Sequence, residues 1–132
     1  MTVNILLITH DEIGRTLLVA AINTLGFCPL SAEILPVALD CDPEKVVEEA
    51  RSRVKKLNDG EGVLILTDIY GSTPSNIACS LLNEDNVRVV SGINLPMLIR
   101  VLNYPALSIE ELVIKAISGG KEGIMDCNTS YE

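Results

Sequence analysis

Gly62-Val63-Leu64-Ile65-Leu66-Thr67, then Asp68-Ile69-Tyr70-Gly71-Ser72-Thr73, then Pro74, is the stretch on which the fold turns. Its first six residues form an apolar run without polar alternation, the mark of a strand buried on both faces between helices. The next six interrupt that run with turn formers. Pro74 suits the first turn of a helix, where a missing N–H is harmless, so a helix is expected through about Leu82.

The same strand, break and helix recur on either side. Val3 to Ile8 reads as a strand stopped by Thr9-His10-Asp11-Glu12, and Ile13, Leu17, Ala21 and Leu25 then share a helix face that ends at Gly26. Ile34 to Leu39 reads as a second strand, placed near an edge by Pro36. Asp42-Pro43-Glu44 caps a helix reaching about Leu57, with Val46, Ala50, Val54 and Leu57 inward. Downstream come a fourth strand at Val87 to Val90, a loop at Gly92-Ile93-Asn94 and a helix from Leu95 to Leu102. Ser108 and Glu111 form a capping box for a last helix, expected to stop before Gly119-Gly120. A short tail follows from about residue 119, in which Gly123-Ile124-Met125 can add a fifth edge segment. Together these units predict one doubly wound α/β/α domain over residues 1–132, with a mainly parallel sheet of four strands.

Composition narrows the function. Aromatic residues are only 3 % of the 132, so aliphatic side chains must fill the core and no base-stacking platform is available. Eighteen acidic against ten basic side chains give a formal charge of −8, which opposes nucleic-acid phosphates and anionic lipid. The four cysteines contain no C-x-x-C pair and the chain has one histidine, so reduced cysteines and no metal site are expected. The apolar runs are too short to span a membrane and the start lacks a charged leader, which places the chain in the cytoplasm.

In an open parallel sheet, ligands bind at the carboxyl ends of the strands. Three segments fall there: Thr9-His10-Asp11, Asp68 to Thr73, and Ser91 to Asn94. His10 can serve as nucleophile or base near neutral pH, and a carboxylate at Asp68 can fix its tautomer. The plainer alternative is a surface histidine that caps a turn. Gly71, Ser72 and Thr73, ahead of a helix start, offer hydroxyls and free N–H groups to an anion, or ordinary capping. Asp11, Glu12, Asp40 and Asp42 invite a magnesium reading, but turns and caps explain the last two. No G-x-G-x-x-G, Walker lysine motif or G-x-S-x-G elbow is present.

Ile8-Thr9-His10, Leu66 to Asn76 and Ser91 to Leu98, in this order at three strand ends, resemble the mannose/fructose-type EIIA domains of the bacterial sugar phosphotransferase system. The likeness spans residues 2–118. It implies a carrier in which His10 accepts a phosphoryl group from the phosphohistidine of HPr and passes it to an EIIB component, or signals by its phosphorylation state. The covalent phosphoryl group is the only intermediate and no cofactor is implied. By the same resemblance Asp68 stands beside His10, Thr73 is the first choice for phosphate contact, and Gly71 and Ser72 share in it. Thr9, Gly92 and Asn94 shape the site. The family commonly has two glycines before the hydroxyl residue, and here Ser72 replaces the second. The related dihydroxyacetone-kinase domain also has an early histidine, but Tyr70 to Asn76 and Asn94 to Leu98 look more like the sugar-system branch. The resemblance further implies a homodimer, and the short tail suggests a standalone EIIA, serving transport or regulation. A catalytically silent binding module of the same fold is the alternative.

Overall fold

The computed structural model describes residues 2–28 and 30–130. Four strands, β1 (Asn4–His10), β2 (Ala32–Val37), β3 (Val63–Thr67) and β4 (Val87–Val90), form one sheet in the order β2-β1-β3-β4. All three pairings are parallel. The helices are α1 (Ile13–Leu25), α2 (Pro43–Leu57), α3 (Thr73–Cys79), α4 (Leu95–Leu102), α5 (Ile109–Glu122) and the short α6 (Cys127–Ser130).

The unbroken apolar runs have a direct cause: successive residues feed opposite cores. Ile5, Leu7, Leu64 and Leu66 pack with α1, α4 and α5, whereas Leu6, Ile8, Val63 and Ile65 pack with α2 and α3. Each central strand is therefore fully covered on both sides. Pro36 sits in the edge strand β2, where its outer side needs no N–H.

Several expected boundaries move. β1 runs on through His10, which pairs with Val37, so the histidine is the strand's last residue rather than part of a loop. β2 occupies 32–37 instead of 34–39, because Ile5 to His10 bond to that earlier segment. Helix α3 begins at Thr73 and ends at Cys79, followed by turns to Leu82. Ile13, expected on the inward face of α1, is 47 % exposed, and Gly14 takes the buried position against Leu7 and Thr9.

The largest correction lies in α5, which passes through Gly119-Gly120 and ends at Glu122. These glycines serve close packing. A Cβ at Gly119 would lie 2.6 Å from Arg100 Cβ, and one at Gly120 3.0 Å from Met97 Cε, both on α4. Helix α5 also consumes the start of the expected tail, and Gly123-Ile124-Met125 form no strand, so the described sheet has four strands and no fifth. Gly119→Ala is expected to cost about 1–3 kcal/mol through overpacking, since Arg100 Cβ cannot swing away. Urea unfolding should show a lower midpoint at unchanged slope.

Candidate functional site

The connections from β1 diverge: β2 lies on one side of it and β3 on the other. In a doubly wound sheet, the crevice at such a divergence is the expected ligand position. His10 ends β1 at that crevice, and Asp68 is the first residue beyond β3.

Three N–H groups converge on the Asp68 carboxylate. The backbone N–H of His10 donates to Oδ2 at 2.9 Å, and His10 Nδ1 lies 2.8 Å from the same oxygen. The backbone N–H of Ile69 donates to Oδ1 at 3.0 Å. The Asp68 side chain is 10 % exposed, and burial works against its charge. The bonds from the His10 backbone and ring and from Ile69 outweigh burial and hold the carboxyl below its ordinary pKa. An ionised carboxylate only accepts, so Nδ1 carries the ring proton and Nε2 keeps its lone pair. The His10 side chain is 36 % exposed. The arrangement is an oriented imidazole with a fixed counter-charge behind it, a geometry that can serve a nucleophile.

The remaining expected residues take distinct places. Thr9 is buried, and its hydroxyl accepts from Gly14 N–H at 2.9 Å, fixing the turn from β1 into α1. Asp11, between them, adopts φ 44 and its N–H donates to the Val37 carbonyl. Gly71 has φ 86, a left-handed conformation that favours glycine. Ser72 precedes α3, but its hydroxyl donates to the Ile69 carbonyl at 2.6 Å. Its O–H is thus committed to the turn. Thr73 is exposed, its hydroxyl has no hydrogen-bond partner among the described residues, and it lines a shallow depression with Pro43, Val47, Asn76 and Ile77. No hydrogen bond joins Thr73 to His10 or Asp68. Gly92 N–H donates to the Asp68 carbonyl at 2.8 Å, which ties the third segment to the second. Asn94 caps α4 through Met97 N–H at 2.9 Å and donates to the Gly120 carbonyl at 3.1 Å, bracing α4 against α5.

Two contributors were not foreseen. Ile69 supplies the third donor to Asp68, a local bond from an aspartate to the next residue's N–H that an Asp at a strand exit can signal. Ser75, buried on α3, accepts from Gly71 N–H at 3.3 Å. Its only signal is a small polar residue in a helix's first turn, able to bond a nearby backbone N–H. Exposed apolar side chains flank the site: Ile69, Tyr70, and Leu39, which is 99 % exposed on the loop leaving β2. Among the described residues no cluster of His, Cys, Asp or Glu could hold a metal ion, and no helix is long and apolar enough to cross a membrane.

Comparison with known proteins identifies the family and agrees with the fold. The family model described as "PTS system fructose IIA component" matches residues 4–117. The chain is 32 % identical over 127 residues to the "PTS system mannose-specific EIIAB component" of Escherichia coli (strain K12), covering 94 % of this chain and 39 % of that protein. It is 36 % identical over 87 residues to the "PTS system fructose-specific EIIA component" of Bacillus subtilis (strain 168), covering 64 % of this chain and 60 % of the relative. The chain therefore spans less than two-thirds of the length of these relatives. Its backbone also superposes on the mannose/sorbose specific IIA subunit from Enterococcus faecalis with a TM-score of 0.84 at 23 % identity, over 96 % of this chain and 95 % of that one.

Proposed function

Because the chain belongs to the EIIA family of the sugar phosphotransferase system, we propose that it is a phosphohistidine carrier with His10 as its acceptor. The observation that carries this reading is the Nδ1–Asp68 contact of 2.8 Å, which leaves Nε2 as the nucleophile. HPr is the donor. His10 Nε2 attacks the phosphorus of the donor's phosphohistidine, a new N–P bond forms, and the donor's N–P bond breaks with its electron pair returning to the donor ring. No proton needs to move. The positive ring charge created on His10 is met by Asp68, and this electrostatic support is already in place before reaction. The phosphoryl group then passes in the same way to an EIIB acceptor. No cofactor enters the scheme, and the work takes place in the cytoplasm. Exposed Leu39, Ile69 and Tyr70 provide apolar area beside His10 for docking a protein donor. A homodimer belongs to the same reading, supported by exposed Ile114 and Ile117 on α5 and Ile124 and Met125 beyond it.

Incubation with an HPr-phosphorylating system and intact-mass measurement tests the proposal. One added phosphoryl group, lost in acid, is expected. An unchanged mass would leave the catalytically silent binding module as the better reading.

Within the loop, Thr73 and Ser72 should part company. We expect Thr73→Val to slow transfer several-fold while leaving stability nearly unchanged, because its hydroxyl is free to meet a phosphoryl oxygen. Ser72→Ala should chiefly cost stability, by about 1 kcal/mol, because its hydroxyl holds the turn. Rapid-quench transfer and urea unfolding on both variants decide the matter. A larger kinetic defect in Ser72→Ala would reverse the assignment.

A further inference from the structure

Asp11 follows His10 directly, and its backbone turns left-handed with φ 44. Glycine holds such a bend without strain, whereas an aspartate is tolerated there chiefly when its carboxylate bonds the nearby backbone. That compensation is missing. Among the described residues the Asp11 carboxylate makes no hydrogen bond or ion pair, and it does not cap α1. Its backbone N–H is tied to the Val37 carbonyl at 3.1 Å, which holds the turn beside β2. Glu12 differs, because Arg15 pairs with its carboxylate. Asp11 is therefore an exposed and unpaired negative charge, held in a strained bend one residue from the acceptor ring.

We infer that Asp11 weakens the hold of His10 on its phosphoryl group, so that the group is passed on more readily. This inference rests on the phosphocarrier reading. Neighbours in sequence cannot part. With Cα atoms about 3.8 Å apart, the Asp11 carboxylate and a group on His10 Nε2 lie within roughly 12 Å whatever their rotamers. Transfer breaks the donor's N–P bond, returns that electron pair to the donor ring and forms the new bond at Nε2. The phosphoryl oxygens bring about two negative charges and the ring gains one positive charge, so residue 10 ends about one unit more negative. Asp68, held against Nδ1, answers the ring's charge. Asp11 repels the phosphoryl oxygens. At this separation one unit charge changes an equilibrium constant by about two- to fourfold at low ionic strength.

The test is the equilibrium between phospho-HPr and the full chain, mixed dilute without a recharging system and read by intact mass. It is run at about 0.01 M and about 1 M salt, where the screening length falls from ~30 to ~3 Å. The position of an equilibrium is independent of docking rate, so a role in partner encounter would not move it. At low salt Asp11→Asn should shift the equilibrium toward the phosphorylated chain by about two- to fourfold, and Asp11→Gly by the same factor. Asp11→Lys should move it about as far again. High salt should abolish these shifts. Glu61→Gln, an exposed change before β3 at the opposite end of the sheet, should leave the equilibrium where it is. An unmoved equilibrium in Asp11→Asn, a shift that survives high salt, or an equal shift in Glu61→Gln would each overturn the inference. So would unlike shifts in Asp11→Asn and Asp11→Gly, which would assign the effect to the bend rather than the charge. If wild-type protein accepts no phosphoryl group, the phosphocarrier reading falls and takes this inference with it. Normal acceptance with an unmoved equilibrium in Asp11→Asn removes the inference alone.

Discussion

His10→Ala should accept no phosphoryl group from phospho-HPr while remaining folded, an all-or-none loss readable by intact mass. The loss is total because the chain contains a single histidine and the substitution removes the only imidazole. Folding should survive for a structural reason. The backbone N–H of residue 10 still donates to Asp68 Oδ2, and the Ile69 N–H still donates to Oδ1. The carboxylate therefore loses one of three donors and is not orphaned. The removed ring is about one-third exposed, so little apolar burial goes with it. Urea unfolding should place the variant within about 1 kcal/mol of wild type. Undiminished phosphorylation of this variant would move the acceptor elsewhere.

The buried strands were readable because both-face burial leaves no polar alternation, as at Val63 to Leu66, and the carboxyl-end rule then drew attention to His10, Asp68 and the Gly92 segment. The pairing of His10 with Asp68 is less local. They stand fifty-eight positions apart; the strand-end position makes Asp68 a candidate partner, and the family resemblance sets it beside the ring. Misreadings arose where a residue's partner is distant in sequence. Gly119 and Gly120 look like a helix stop because glycine lowers helix propensity, but the α4 side chains Arg100 and Met97 make small residues necessary there. His10 looked like a loop residue because Thr9-His10-Asp11 is polar, while bonds to β2 carry the strand one residue past Thr9. The buried hydroxyl of Thr67 has no hydrogen-bond partner among the described residues, and no sequence signature marks it, since threonine is an ordinary strand former.

Asp68→Asn should lower the transfer rate on the order of 10²-fold, as expected when one preorganised electrostatic partner of a charged transition state is lost. The reason can be traced atom by atom. Asp68 presents two acceptor oxygens to three N–H groups, two of them on Oδ2 and one on Oδ1. An amide has one oxygen and one NH2 group. If the amide oxygen faces His10, its NH2 meets the Ile69 N–H, donor against donor. If the amide is turned, its NH2 meets the His10 backbone N–H, and Nδ1 must become the acceptor. The ring proton then moves to Nε2 and occupies the nucleophile's lone pair. Either orientation also removes the charge that supports the phosphorylated ring. The pH dependence follows from the lowered pKa of Asp68. Its stabilising contribution is fully present above the ordinary aspartate pKa and is lost as pH falls through the lowered folded value. Wild type should therefore be more stable than Asp68→Asn at neutral pH, by about 1 kcal/mol, and the gap should close in acid. Transfer kinetics and urea unfolding measured from neutral to acid pH check both effects. Wild-type kinetics in a folded Asp68→Asn protein would reduce Asp68 to a structural brace for the end of β1.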